Sequence, residues 1–303
     1  MLGPEEVKKM VHDYWKENVG ELENDENPDI FINTSMHEFD MSIPGSDGKD
    51  SDAVYDYLQK AENATSSKER MSALKKALEI DPDNIDVRTQ MIMAEKGDRA
   101  EECLSALEGL IREVESTEKM QKTIEKDRGK FWQIPETRPY IRLRHKHMNE
   151  LIRCGMMDAA AEDGEEIIKL NRVDNLGIRY TLMHLYALLE NEKKALSLHK
   201  KYENADETEM LLPLSVLYYK KRQYDTAEEY LGRLKASNKG TVKFFRLLSD
   251  GKGLTQILDS MSSFGYRPFT EEALAMDYEE NRFLFSAVPS FFRWAYGVVD
   301  SKK

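Results

Sequence analysis

The sequence has little cysteine and no long apolar run. Two cysteines, Cys103 and Cys154, occur among 303 residues, and both fall within helical patterns. This usage predicts two reduced thiols in a cytoplasmic protein, because secreted domains carry disulfide frameworks. A membrane span needs about eighteen apolar residues in succession, and no such stretch occurs. The first fifteen residues also lack the apolar core of a signal peptide, so we expect neither a membrane partner nor a secretory leader.

Positive charge is also scarce. The chain has 44 lysines and arginines against 56 acidic residues, which gives a net charge of -12. A surface of this sign disfavours non-specific binding to nucleic acid. With 33% charged residues and a mean hydropathy of -0.65, the composition fits an elongated repeat protein, whose repeats bury only one seam each.

Sequence signatures of catalysis are missing as well. The chain contains neither a phosphate-binding Gly-x-x-x-x-Gly-Lys loop nor a Gly-x-Ser-x-Gly nucleophile elbow,. His145 and His147 are two residues apart, so on a helix they point in different directions and cannot share a metal ion. We therefore predict a protein that is not an enzyme and that holds no cofactor or metal.

What the sequence does contain is a series of helix pairs that begins near residue 52. The segment 73–84, ALKKALEIDPDN, is close to the end of a tetratricopeptide repeat,. Small residues that would pack paired helices together recur at Ala160, Ala195 and Ala227, spaced 35 and 32 residues apart, near the period of about 34 for this repeat. The predicted pairs are 53–64 with 67–80, 85–96 with 99–124, 136–154 with 157–170, 175–189 with 192–202, and 208–221 with 224–235. The predicted fold is all-α, a tetratricopeptide-type right-handed α-solenoid of paired antiparallel helices.

Three regions are predicted along the chain. Residues 1–51 form an N-terminal helix and an acidic loop, residues 52–250 form the helical repeats, and residues 251–303 form an aromatic-rich C-terminal cap. A solenoid needs an atypical end that covers its last apolar seam, and this explains the aromatic residues of the third region. The alternative is that they form a surface for a partner or for self-association, because aromatic side chains anchor interfaces.

Two segments carry a resemblance to a known group of proteins. They are FWQIPETRPYIR at 131–142 and LNRVDNLGIRY at 170–180. Both resemble segments of a group of uncharacterised bacterial tetratricopeptide proteins that is similar in its repeats to the suppression-of-tumorigenicity-seven family. The chain departs from the group at Arg172, where proline is usual, and at Leu176, where glutamine is usual. The resemblance covers residues 52–248 and implies the fold, but it implies no chemistry.

A candidate binding site lies on the helix predicted at 136–154, which would line the concave face of a solenoid. Between Thr137 and Arg153 this helix carries five basic residues and one acidic residue, a local reversal of the chain's charge. The planar guanidinium of arginine pairs with carboxylates through two hydrogen bonds. The site is therefore predicted to bind an acidic peptide or a C-terminal carboxylate. The residues predicted to contact it are Arg138, Arg142, Asn149, Asn175 and Arg179.

The alternative is that these arginines form internal ion pairs with the neighbouring acidic helix. The acidic residues in question are Glu162, Asp163, Glu165 and Glu166. On the first interpretation, the chain is a cytoplasmic protein-interaction adaptor that captures a segment of another protein. Two rival functions remain open: a regulatory subunit that self-associates through its aromatic tail, and an enzyme with an unrecognised site.

Overall fold

The computed structural model of the protein describes residues 49–261 and 266–301, and within these residues it is helical without strands. The predicted N-terminal helix and nearly all of the acidic loop lie outside the described residues. Sixteen α-helices are present in the described part. They are α1 (Lys49–Glu62), α2 (Ser67–Ile80), α3 (Ile85–Lys96), α4 (Ala100–Ser116), α5 (Glu118–Asp127), α6 (Arg138–Arg153), α7 (Met157–Leu170), α8 (Ile178–Leu188), α9 (Glu192–Lys201), α10 (Thr208–Lys220), α11 (Tyr224–Ser237), α12 (Thr241–Ser249), α13 (Thr255–Asp259), α14 (Glu271–Glu280), α15 (Arg282–Phe285) and α16 (Pro289–Asp300).

The helices pack as hairpins in chain order. The hairpins are α1 with α2, α3 with α4, α6 with α7, α8 with α9, and α10 with α11. Two pairs of neighbouring hairpins touch through their first helices, since α3 packs on α6 and α8 on α10, and each of α4 and α7 also packs on the first helix that follows it. The prediction of an all-α fold built from paired helices is confirmed.

Three of the hairpin turns have the same geometry. The turn residues Gly155, Glu190 and Arg222 have positive φ angles of 75°, 54° and 59°, and they are spaced 35 and 32 residues apart, like the alanines above. In each turn the next residue donates its backbone N–H to a carbonyl five residues back. These bonds are Met156 to Leu151 at 2.8 Å, Asn191 to Tyr186 at 2.8 Å, and Gln223 to Tyr218 at 2.9 Å. A left-handed residue followed by such a bond is a common way to end a helix.

Two of the helix boundaries that differ from the prediction are set by side-chain caps. The helix predicted at 99–124 is broken at Thr117, which takes an extended conformation and accepts a hydrogen bond from the Met120 N–H at 3.3 Å, capping α5. The helix predicted at 175–189 begins only at Ile178. Threonine and aspartate oxygens accept hydrogen bonds from the unpaired N–H groups at a helix start. The spacing of apolar residues does not reveal where such a cap begins a helix.

The buried apolar side chains form two clusters. A small cluster joins α1, α2 and α3 through residues such as Leu58, Leu74 and Val87. A large cluster extends from Cys103 on α4 to Val299 on α16. Helix α3 contributes to both, because its Ile92 and Met93 pack against the large cluster.

The C-terminal segment shares the large cluster and lies against the first helices. Helix α14 packs on α10, α15 on α8, and α16 on α11 and α12. Phe285, Phe291 and Phe292 are buried, so these three aromatic side chains contribute to the core and are not exposed anchors. The segment therefore covers α8 and α10 as well as the end of the last hairpin.

Candidate functional site

One face of α6 carries a stripe of half-buried polar residues. Arg138, Arg142 and Asn149 fall on this face at helical spacing, and His145 lies between them,. We call these four residues the α6 stripe. The other faces of α6 are buried by the apolar side chains of Tyr140, Ile141, Leu143, Met148 and Leu151. The stripe is thus the polar side of an amphipathic helix.

Arg142 connects the stripe to α3. Its Nε donates to Asp86 Oδ1 at 2.9 Å, and its Nη2 donates to Asp86 Oδ2. The Arg142 side chain is only 13% exposed, and its Nη1 is buried with no hydrogen-bond partner in the described structure. Two of the three guanidinium nitrogens thus hold a carboxylate, while the third keeps unsatisfied N–H donors, which is costly for a buried cation.

Arg138 is held by the turn that precedes α6. Its Nε donates to the Trp132 carbonyl oxygen at 2.8 Å, and its guanidinium carbon lies 5.4 Å from the centroid of the Trp132 ring. Trp132 is buried. The contact fixes the direction in which Arg138 leaves the start of the helix.

One arginine of the basic helix, Arg144, pairs with the acidic helix as the alternative predicted, while other acidic residues of that helix bind cations from elsewhere. Asp163 on α7 accepts from Arg144 Nε at 2.7 Å, and its other oxygen lies 2.8 Å from His147 Nδ1. Glu166 binds Arg128 and Glu165 binds Lys194, while Glu162 is exposed. The alternative interpretation therefore describes Arg144, which lies on a different face of α6 from the stripe.

Asn175 and Arg179 were both predicted to lie on the helix at 175–189, but only Arg179 lies on α8. Asn175 lies in the turn before α8, because Asp174 takes a positive φ of 58° and caps the helix. Asp174 Oδ1 accepts from the Ile178 N–H at 2.8 Å, and Oδ2 accepts from the Arg179 N–H at 3.1 Å. The helix thus starts at Ile178, three residues later than predicted.

Arg179 belongs to a network separate from the α6 stripe. Its Nη1 donates to Asp174 Oδ2 at 3.1 Å, and its guanidinium carbon lies 4.1 Å from the Tyr180 ring centroid and 5.1 Å from that of Tyr202. Burial by itself would lower the pKa of Arg179, but Tyr180, Asp174 and Glu207 raise it, so the guanidinium remains charged,. Arg142 and Arg179 have different carboxylate partners.

A second polar cluster, which the sequence did not predict, joins the C-terminal segment to α8. His184 is fully buried, with Nδ1 2.8 Å from the Tyr180 carbonyl oxygen and Nε2 3.1 Å from Asp277 Oδ1 on α14. Both ring nitrogens lie within hydrogen-bond distance of an oxygen. The Phe285 ring meets the His184 ring edge to face, with centroids 5.5 Å apart. No sequence signal links residues that are 93 positions apart.

Within residues 49–261 and 266–301, no group of three His, Cys, Asp or Glu side chains is arranged to hold a metal ion. None of the described helices has the length and apolar character needed to cross a membrane. The chain matches no protein-family model, no curated protein and no solved structure.

Proposed function

We propose that this chain is a non-catalytic protein-interaction adaptor, a tetratricopeptide-type α-solenoid that works in the cytoplasm and binds a segment of another protein along the α6 stripe. The repeated hairpin turns at Gly155, Glu190 and Arg222 support the solenoid,. The resemblance of residues 131–142 and 170–180 to bacterial tetratricopeptide proteins is part of the same proposal.

The first helices of the hairpins differ in how far they are covered, and this difference supports the α6 stripe as the binding site. On α8 the inner position of His184 is fully covered by α14 and α15. On α6 the four residues of the stripe are each partly exposed. A partner segment would therefore lie against α3 and α6, since the chain's own C-terminal helices cover α8 and α10.

The proposed ligand chemistry rests on one observation, the Arg142 Nη1 that has no hydrogen-bond partner in the described structure. The bidentate pair of Arg142 with Asp86 fixes the guanidinium plane. Because that nitrogen is buried, a carboxylate or carbonyl oxygen of a partner segment would satisfy it only once the Arg142 side chain turns outward from Asp86. The bond would be charge-assisted, and such bonds are roughly twice as strong as neutral ones.

Two substitutions in the ion pair of Arg142 and Asp86 test whether Arg142 contacts the ligand or only holds α3 on α6. The probe is a fluorescein-labelled hexaglutamate peptide, titrated against the full chain by fluorescence anisotropy at low salt. Arg142→Gln removes the donor, and we expect binding to weaken about tenfold. Asp86→Asn removes the competing carboxylate but keeps the donor, so we expect equal or tighter binding.

The control is Arg112→Gln on α4, which removes one positive charge from a side chain that is 70% exposed. It should bind the probe as the wild type does. If Arg142→Gln and Asp86→Asn weaken binding equally, Arg142 acts only by holding α3 on α6, and the proposed site fails. Binding unchanged in every variant would also refute it.

Self-association is a second candidate function, favoured by one observation. Tyr224 is 44% exposed, and with Tyr219 and Trp294 it forms a cluster whose ring centroids lie 4.9 to 5.8 Å apart. Such a cluster could anchor a second copy of the chain. Sedimentation at several concentrations tests this, because Tyr224→Ser would abolish any concentration-dependent increase in mass.

A further inference from the structure

A groove lies between α7 and α9, the second helices of two successive hairpins, which both pack on α8. Its volume is about 460 Å3, and ligand sites commonly measure about 300 to 1,000 Å3. Residues of all three helices line it, among them Glu165, Lys169, Tyr186, Lys194, Ser197 and Lys201. We call it the α7–α9 groove. The four residues of the α6 stripe are not among those that line it.

The apolar part of the groove is small. Ile168, Tyr186 and Leu198 also line it, and each keeps an exposed fraction of only 4 to 8%. Such a surface can contact one apolar side chain of a ligand, but it cannot hold the whole apolar face of a helix. Charged groups must therefore supply much of the recognition.

The rims of the groove are basic. Lys169 and Lys194 have side chains that are 56% and 46% exposed, and Lys201 is exposed as well. These three lysines stand against one acidic residue of the lining, Glu165. In a chain with a net charge of -12, the groove is a local reversal of sign, and it favours an anionic ligand.

The one carboxylate of the lining is already engaged. Glu165 Oε1 accepts from the Tyr186 hydroxyl at 3.0 Å and from Lys194 Nζ at 2.5 Å. Burial raises the pKa of Tyr186, with Glu165 adding to the effect, so the hydroxyl stays protonated and continues to donate. The two donors offset the charge of Glu165 and reduce its repulsion of an incoming anion.

The excess positive charge lies at the ends of α7 and α9. Within the described residues Lys201 forms no ion pair, and its Nζ lies 5.2 Å from the centroid of the Tyr202 ring. Lys169 Nζ lies 3.6 Å from Glu166, but Arg128 binds that carboxylate more closely, at 2.5 and 2.7 Å. A carboxylate of a ligand would gain charge-assisted hydrogen bonds from these two lysines.

The spacing of the lysines limits the kind of anion. Lys194 and Lys201 are seven residues apart on one face of α9, which corresponds to about 10 Å along the helix axis. An anion with a single headgroup, such as a fatty acid, reaches only one end of this row. An extended peptide covers the same distance in about three residues, so it can place a carboxylate at each end and an apolar side chain between them.

We propose that the α7–α9 groove binds a short segment of another protein in which acidic residues flank an apolar side chain. The apolar side chain lies against Ile168 and Leu198, and the carboxylates lie at the lysines of the rims. The groove and the α6 stripe are separate surfaces, so either proposal can fail without the other.

The test uses a fluorescein-labelled peptide, EELFEE, titrated against the full chain by fluorescence anisotropy at low salt. Two matched peptides separate charge from apolar contact: KKLFKK reverses the charge, and EESSEE removes the apolar pair. We expect EELFEE to bind at least about tenfold more tightly than either.

Substitutions at exposed positions of α9 locate the site. Lys201→Gln should weaken the binding of EELFEE about fivefold, whereas Lys200→Gln removes a neighbouring charge that does not line the groove and should have no effect. Ser197→Glu places a carboxylate in the groove and should abolish binding. Unfolding midpoints show that the variants remain folded.

The proposal is overturned if EELFEE does not bind, if either matched peptide binds equally well, or if Lys200→Gln and Lys201→Gln weaken binding equally. Loss of binding in Arg142→Gln but not in Lys201→Gln would assign the peptide to the α6 stripe and refute the groove. If no peptide binds and Ser197→Glu abolishes a concentration-dependent increase in mass, the groove holds a second copy of the chain, which also refutes the proposal.

Discussion

Glu209 is expected to make the protein less stable as the pH rises towards 8. This half-buried residue lies at the start of α10, beneath the C-terminal segment. Burial, with the nearby charge of Asp277 adding to it, raises its pKa from 4.5 to about 8. Glu207 acts in the same direction and Arg179 in the opposite one.

The direction in which the free energy of unfolding changes with pH follows from the protons bound in the folded and unfolded states. Between about pH 4.5 and 8 the folded state holds a proton on Glu209 that the unfolded chain has released. The free energy of unfolding therefore falls across this range, by at most about 1.4 kcal/mol for each pH unit. From pH 5.5 to 8 the upper limit is about 3 kcal/mol, and because Glu209 is partly solvated we expect about 2 kcal/mol or less.

Glu209→Gln removes the titrating carboxyl group and keeps the size and shape of its protonated form. Urea unfolding at pH 5.5, 7 and 8.5 should show the variant increasingly more stable than the wild type, with the difference growing by about 1 to 2 kcal/mol. Glu229→Gln, at an exposed position on α11, is the control and should show no such growth. A difference for Glu209→Gln that stays constant with pH would refute the reasoning.

Two further predictions concern the backbone. Glu190→Gly and Arg222→Gly should each raise the unfolding free energy by about 0.5 to 1 kcal/mol, because both positions have positive φ,. Gly155→Ala should lower it by a similar amount, and unfolding midpoints measure all three. A Cβ at Gly240 would lie 2.0 Å from the Glu271 nitrogen, so Gly240→Ala should push α14 outward. Hydrogen exchange should then quicken in α14 and α15 but not in α6, and uniform quickening would contradict this.

The sequence was informative where the structure depends on local pattern. Ala160, Ala195 and Ala227 are fully buried, as their recurrence predicted. Side-chain spacing of this kind follows from helix geometry and needs no knowledge of the neighbours. The turn before α8 was missed because Asp174 adopts a left-handed conformation that is more typical of glycine or asparagine,.

The candidate site was only partly predictable for a different reason. The basic face of α6 could be identified from its composition, but the partners of its charges could not. Arg142 pairs with Asp86 across 56 residues, and His184 pairs with Asp277 across 93. Such pairs depend on how hairpins stack and on where the C-terminal segment returns, and neither is encoded in helical periodicity.

In the proposed binding mode, Arg142 would take up a ligand without disrupting the fold. Two arginines of α6 hold α3: Arg142 binds Asp86 at the start of α3, and Arg153 Nη2 donates to the Gly97 carbonyl oxygen at its end, at 2.7 Å. Helix α3 is also where the small apolar cluster meets the large one. A ligand that draws Arg142 from Asp86 would loosen one end of α3 while Arg153 and the apolar contacts hold the rest. Capture of a partner segment would then adjust the junction between the two clusters without separating them.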